Sequence, residues 1–317
     1  MKIVIAKPGY KDNSPTGYKM LVDKGYEIVH IPYSRDYTME ELKTVVGDID
    51  GIIADSEPWN EESLSCAPKL KIISRYGVGM DSVDTEACKR HGVIVTNCPG
   101  VNANPVAEHA VAMLLCAKRN LIKINETTKQ GQWKQYLFSE LSGQTVGIIG
   151  FGYIGQKVAQ KLMGFECNIV AYDVVHNNEM AEKTNTKFVD LEFLLSKSDI
   201  ICLHCPLTPD TFHLINSETL SRTKKGVIFI SEARGEVVDE AAMYDALTSG
   251  HVAYFATDVF EHEPATPSNT PILRLENVFA SAHNGGETYE NSERCGILTA
   301  KHLIDALEGR EPEDRRV

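Results

Sequence analysis

Gly150-Phe151-Gly152-Tyr153-Ile154-Gly155 follows the short apolar run Val146-Gly147-Ile148-Ile149 and leads into a helical pattern built on Val158, Ala159 and Leu162. A strand, a glycine-rich turn and a helix in that order suit a pyrophosphate. Gly150 permits the tight turn, Gly152 lets the phosphates approach the backbone, and Gly155 lets the helix lie close to the strand. The helix N-terminus then offers free N–H groups to the anion. Asp173 ends the next strand, near the roughly 20-residue spacing expected of an acid that binds ribose hydroxyls. Its charge repels a 2′-phosphate, and Val174 and Val175 supply no guanidinium to hold one. The expected cofactor is therefore NAD rather than NADP.

Arg234, Glu263 and His283 are further candidates for chemistry. Taken singly, each has an ordinary reading as a solvated charge, a loop end before Pro264 or a satisfied polar group. Cys202-Leu203-His204-Cys205 has redox-like or metal-like spacing. It closes an apolar strand, however, and no second ligand pair matches it, so the thiols read as buried small side chains and no metal is expected.

The elements that must position these residues alternate between strand and helix nearly throughout. Strand patterns lie at Lys2–Ala6, Glu27–Ile31, Gly51–Ala54, Ile72–Arg75 and Ile94–Thr96, with helical patterns such as Thr38–Val46 and Asp84–Arg90 between them. This predicts a parallel α/β layer. One long helix is expected over about Pro105–Lys123, with Ala107, Ala110, Val111 and Leu114 on its apolar face. A polar connection through Gly131-Gln132-Trp133 leads to Leu141-Ser142-Gly143. A second series then runs through Thr145–Ile149, Ile169–Tyr172, Ile200–Leu203, Val227–Ile230, Ala253–Thr257 and Val278–Ser281, and a last helix covers about Ser292–Leu307. The second series reads as a nucleotide-binding domain inserted in the first. The expected division is residues 1–100 plus 287–317 as a substrate domain and 101–286 as an NAD-binding Rossmann domain.

With 317 residues and 43% hydrophobic content, the chain can build two cored domains. A net charge of −12 without a basic stripe argues against nucleic-acid binding. The N-terminal apolar run, Ile3 to Ala6, is too short for a signal peptide, and Ala110 to Ala117 is too short for a membrane span. A cytoplasmic chain with its 8 cysteines reduced is expected.

Ala233-Arg234-Gly235 leading to Val238-Asp239-Glu240, Asp258-Val259-Phe260-Glu261-His262-Glu263-Pro264, and Ala282-His283-Asn284-Gly285-Gly286 together resemble the D-isomer-specific 2-hydroxyacid dehydrogenase family. Earlier stretches agree: Arg75 to Asp81, Asn97 to Gly100, Val106 to His109, and Leu203 to Thr208. The resemblance covers almost the whole chain in the family's order, and phosphoglycerate dehydrogenase-like bacterial members are similar. It implies two Rossmann-like or flavodoxin-like parallel-sheet domains with a cleft between them. It also implies an NAD-dependent oxidoreductase that interconverts a D-2-hydroxy acid and its 2-keto acid.

By this resemblance Arg234 holds the substrate carboxylate and polarises the carbonyl, for which a planar guanidinium fork is suited. His283 exchanges a proton with the substrate oxygen, and Glu263 orients the ring and favours its charged form. Val78 and Gly79, with Gly77, offer backbone groups to the substrate. Cofactor contacts are implied for Gly150, Gly152, Tyr153, Ile154, Gly155, Asp173, Cys205, Pro206, Ala233, Asp258, His283 and Gly285, with Asp258 facing the nicotinamide amide. His204 and His109 read as structural. A homodimer is implied; Trp133 resembles a residue near the family's dimer contact, while a buried core position suits it equally.

Two departures stand out. Ser231-Glu232 occupies positions where the family often has Asn-Thr, which puts a carboxylate close to the cofactor. Ser281-Ala282-His283 replaces Thr-Pro-His, and loss of the proline is expected to loosen that loop. The substrate is open. Asp55-Ser56-Glu57-Pro58 is similar to phosphoglycerate dehydrogenases, yet this segment is acidic and Arg75 is the only nearby cation expected to meet a phosphate. The chain stops at Val317, so no regulatory amino-acid-binding domain is expected. Two alternatives remain: 3-phosphoglycerate dehydrogenase of serine biosynthesis, and a corepressor-like protein that senses NAD.

Overall fold

The computed structural model describes residues 1–31 and 38–317. The chain divides into two compact units, Met1–Asn102 with Glu287–Val317, and Ala103–Gly286.

The first unit holds a sheet of β1 (Lys2–Ile5), β2 (Glu27–His30), β3 (Gly51–Ala54), β4 (Ile72–Arg75) and β5 (Ile94–Thr96). Its order is β2-β1-β3-β4-β5, and every pairing is parallel. All four residues of central β3 are buried, as expected for a parallel strand covered on both faces. Ile52 and Ala54 pack with Leu42, Trp59 and Leu64 on one side. Ile3, Ile53 and Ile72 pack on the other with Leu303, Ile304 and Leu307 of the C-terminal helix Tyr289–Leu307. That helix closes against Pro15–Asp23, where a Cβ on Gly17 would come within 2.5 Å of the Gly296 carbonyl oxygen.

The second unit holds β6 (Thr145–Ile149), β7 (Asn168–Tyr172), β8 (Thr186–Phe188), β9 (Ile200–Leu203), β10 (Val227–Ser231), β11 (Val252–Thr257) and β12 (Val278–Ala280). Its order is β12-β11-β10-β9-β6-β7-β8, again all parallel. The strand order reverses between β6 and β9, which is where doubly wound sheets open a crevice at their C-terminal edge. Ala107, Ala110 and Leu114 pack with Val158, Ala159 and Leu162 over one face, and Leu194, Leu195, Met243 and Leu247 cover the other.

Two expectations need correction. The single helix over Pro105–Lys123 is two helices, Ala103–Arg119 and Leu121–Lys129, broken at Asn120 with φ 45°; asparagine adopts this left-handed geometry more readily than most side chains. β8 escapes the sequence pattern because it is a three-residue edge strand with exposed Lys187 at its centre.

Candidate functional site

Because all seven strands of the second sheet are parallel, the residues that follow them gather along one edge. Gly150 follows β6, Asp173 follows β7, and His204 and Cys205 follow β9. Glu232 follows β10, Asp258 follows β11, and Ser281 to Gly285 follow β12.

At the β6 end two of the three glycines are sterically required and the third leaves open space. Gly150 has φ 93°, and a Cβ there would lie 2.5 Å from the Cys205 amide nitrogen. A Cβ on Gly155 would lie 2.1 Å from the Gly150 carbonyl oxygen, so the helix Tyr153–Leu162 rests directly on the turn. Gly152 stands at the N-terminal end of that helix with no side chain to cap it, and a Cβ there would meet nothing within 4 Å. The space above Gly152 and the uncapped helix N-terminus form a cradle that fits a pyrophosphate. Ile154 is half-buried beneath the cradle and Tyr153 is exposed beside it. Asp173 accepts hydrogen bonds from the Phe151 amide at 2.6 Å and the Val175 amide at 2.9 Å, while Val174 and Val175 stand exposed beyond it. Cys205 is buried, which pushes its thiol up to about 11, and Pro206 beside it is exposed.

The structure brings Glu263 and His283 together. His283 Nδ1 lies 3.0 Å from Glu263 Oε2, and Glu263 Oε1 accepts from the Phe260 amide at 3.1 Å. The hydrogen bond and charge of Glu263 raise the His283 pKa against the opposing effects of burial and Arg234. Burial pushes the Glu263 carboxyl up, but His283, the Phe260 amide and Arg234 outweigh it and hold the group below the usual carboxylate range. Arg234 is therefore near enough to act on both partners. Its Nη1 donates to the Ala233 carbonyl at 2.9 Å, and its neighbour Gly235 is enforced by Phe260, whose backbone a Cβ would strike at 1.9 Å.

His283 sits at φ 54°, in a region that side chains rarely occupy. Asp258 holds it there. The Asp258 carbonyl accepts from the His283 amide at 2.9 Å. One carboxylate oxygen accepts from Ser281 Oγ at 2.5 Å and the Asn284 amide at 2.8 Å, and the other from the Gly285 amide at 2.7 Å. Four hydrogen bonds to one residue thus hold the loop that lacks the proline. These bonds leave Asp258 Oδ2 one acceptor position for an amide.

His109 reaches the same edge from the helix Ala103–Arg119. Its Nδ1 lies 2.5 Å from Glu232 Oε1, and the Glu232 side chain is almost wholly buried. Polar atoms of His109, Glu232 and Asp258 lie within 4.8 Å of one another. His109, expected to be structural, is the hydrogen-bond partner of this buried carboxylate. Glu232 gives the signal in the sequence, because a lone buried carboxylate needs a partner.

In the first unit, Gly77, Val78 and Gly79 follow β4. Gly77 has φ 135°, and the Val78 carbonyl accepts from Asn97 Nδ2 at 2.7 Å. Arg75 is not the only cation here, which corrects that expectation. Lys7, just past β1, lies 3.5 Å from Asp55 and 3.4 Å from Glu287, and Arg75 lies 3.6 Å from Asp55. Lys7 is distant from Arg75 in sequence, and only parallel pairing of β1, β3 and β4 brings their ends together.

Trp133 is 91% exposed, which overturns its reading as a core residue. Cys202 is buried in β9. No helix among the described residues is long and apolar enough to cross a membrane.

Residues 111–285 match the family described as D-isomer specific 2-hydroxyacid dehydrogenase, NAD binding domain. The chain is 37% identical over 313 residues to a D-3-phosphoglycerate dehydrogenase of Archaeoglobus fulgidus, covering 98% of this chain and 58% of that protein. It is 35% identical over 288 residues to a glyoxylate reductase of Korarchaeum cryptofilum, covering 89% of this chain and 85% of the relative. Among solved structures, D-lactate dehydrogenase of Aquifex aeolicus, complexed with NAD and lactic acid, superposes with a TM-score of 0.85 at 32% identity, covering 98% and 96% of the two chains. The chain spans little more than half the length of the phosphoglycerate dehydrogenases it matches.

Proposed function

The chain belongs to the D-isomer specific 2-hydroxyacid dehydrogenase family and carries its NAD-binding domain, and from that premise we propose that it interconverts a D-2-hydroxy acid and its 2-keto acid. The observation that carries this reading is the 3.0 Å pairing of His283 with Glu263 in the same unit as Arg234 and the glycine cradle.

The cradle at Gly150, Gly152, Tyr153, Ile154 and Gly155 binds the pyrophosphate, and Asp173 takes the adenosine ribose. Cys205, Pro206, Ala233, Asp258, His283 and Gly285 line the remaining length toward the nicotinamide. When bound, NAD supplies the hydride acceptor and NADH the donor. Arg234 binds the substrate carboxylate through its planar fork and orients the carbonyl. The family resemblance implies backbone contacts to the substrate from Val78 and Gly79 as well. Glu263 occupies His283 Nδ1 and so leaves Nε2 to exchange a proton with the substrate oxygen. In reduction the charged ring gives up that proton; in oxidation the neutral ring removes it.

Lys7 and Arg75 favour a second reading, in which the substrate carries a phosphate, as in 3-phosphoglycerate. Asp55 and Glu287 offset those cations, so the main reading keeps the wider substrate class. Exposed Leu121, Trp133 and Leu137 support a homodimer, and the unpaired cysteines support a reducing cytoplasmic setting.

The test is a panel of glyoxylate, hydroxypyruvate, pyruvate and 3-phosphohydroxypyruvate with NADH. Turnover of at least one is expected, and His283→Ala should reduce it about a hundredfold while NADH still binds. Preference for the phosphorylated acid would select the second reading. NADH binding without turnover of any acid would overturn the enzymatic reading and favour a sensing role.

A further inference from the structure

Asp173 and the glycine cradle mark where the adenosine and pyrophosphate lie, at the ends of β7 and β6. The sheet runs β7-β6-β9-β10-β11. A dinucleotide stretched along this edge brings its nicotinamide over the ends of β9, β10 and β11, about 5–15 Å from β6 at the usual strand spacing. The groups there are Cys205, Glu232 and Asp258. The nicotinamide ring is positively charged when oxidised and neutral when reduced, so a fixed charge beneath it changes the relative affinity for the two forms.

We propose that Glu232 and His109 form a buried pair that shares one proton and, once that proton is lost, selectively stabilises the oxidised cofactor. The inference rests on the NAD reading above and adds to it a residue pair that sets which redox form is held. Glu232 is built for this position. Its Oε1 meets His109 Nδ1 at 2.5 Å, its Oε2 is buried without a hydrogen-bond partner, and its side chain is 2% exposed. A Cβ on Gly285 would lie 3.2 Å from both Glu232 Oε1 and Asp258 Oδ2, so the two carboxyls flank the base of the His283 loop.

The titratable groups facing Glu232 are His109 from the helix Ala103–Arg119, Asp258 after β11, His283 on the loop after β12 and the Cys202 thiol in β9. Burial pushes Glu232 up to about 7, against the pull of His109, while Glu232 raises His109. At 2.5 Å the two groups titrate as a unit rather than singly. With one proton it is neutral. Without it the pair carries one negative charge and favours the cationic ring. A unit charge about 10 Å away, at an effective dielectric of about 20, changes a ratio of affinities roughly tenfold.

The test is calorimetric titration of the full chain with NAD and with NADH at about pH 6 and about pH 9. In Glu232→Gln the preference for NAD over NADH should fall roughly tenfold at the higher pH, and the variant should converge with wild type at the lower one. The pH dependence that remains in the variant belongs to His283 and to the unpaired His109 ring. His109→Gln keeps a donor to Glu232 but removes the second proton site. Its preference for NAD should therefore persist to lower pH than in wild type. Equal losses of affinity for both cofactor forms in Glu232→Gln would overturn the proposal in favour of a packing role, as would a wild-type pH profile in His109→Gln. Failure of the wild-type protein to bind either form would instead overturn the NAD reading itself.

Discussion

His283 Nδ1 lies 3.0 Å from Glu263 Oε2 while the His283 backbone is held at φ 54°. The pairing raises the His283 pKa and lowers that of Glu263. Glu263→Gln keeps the shape but removes the charge, so the His283 pKa should fall. Reduction requires the charged ring and proceeds below that pKa. Its rate in the variant should therefore decline from a lower pH than in wild type, while oxidation, which uses the neutral ring, suffers less at high pH. Paired pH–rate profiles in both directions check this. Coincident reductive limbs would reduce Glu263 to a packing role.

Asp173 is tied to the glycine turn by the Phe151 amide and to its own loop by the Val175 amide. Wild type should use NADH much better than NADPH. Asp173→Ala removes the repulsion of a 2′-phosphate and also frees both amides, so NADH affinity should fall while the gap between the cofactors narrows. Competitive binding of the two cofactors measures both effects. Equal use of NADH and NADPH by the wild-type protein would refute the role of Asp173.

How far the sequence could be read follows from the range of each interaction. Gly150, Gly152, Gly155 and the strands around them are set by local geometry and apolar runs, so their placement is visible in one short stretch. The break at Asn120 depends on one backbone angle inside an otherwise continuous helical pattern, and β8 on edge pairing of three residues. His109 and Glu232 are 123 residues apart, and Lys7 and Asp55 meet only through the parallel order of their sheet. The fixing of the His283 loop by Asp258 is hidden for a similar reason: the buried carboxylate acts across two strand ends, on partners 23 to 27 residues away in the chain.

Trp133 and Leu137 stand 91% and 102% exposed in an irregular stretch after the helix Leu121–Lys129. Side chains this large and this exposed, close together in the chain, point to association. The wild-type protein should behave as a dimer by light scattering, and joint Trp133→Ser and Leu137→Ser replacement should shift it toward monomer while leaving the far-ultraviolet spectrum unchanged. A monomeric wild type at micromolar concentration would refute the dimer.

Arg234 separates charge from geometry in the proposed substrate site. Its guanidinium lies close enough to oppose the charging of His283, and its backbone is fixed by Gly235, which Phe260 crowds too closely to admit any side chain. Arg234→Lys keeps the positive charge but loses the planar fork that can grip two oxygens at once. Lysine also reaches its partners through a flexible stem, so the carbonyl is oriented less well. If Arg234 served only to attract an anion, KM would rise and kcat would hold. If it also polarises the carbonyl, kcat must fall too, because that contact strengthens in the transition state. We expect both changes, with kcat/KM reduced about a hundredfold or more, equivalent to about 2.7 kcal/mol of transition-state stabilisation. Steady-state kinetics on the best acid from the panel, with NADH affinity measured separately, distinguishes these cases. An unchanged kcat would confine Arg234 to binding the carboxylate.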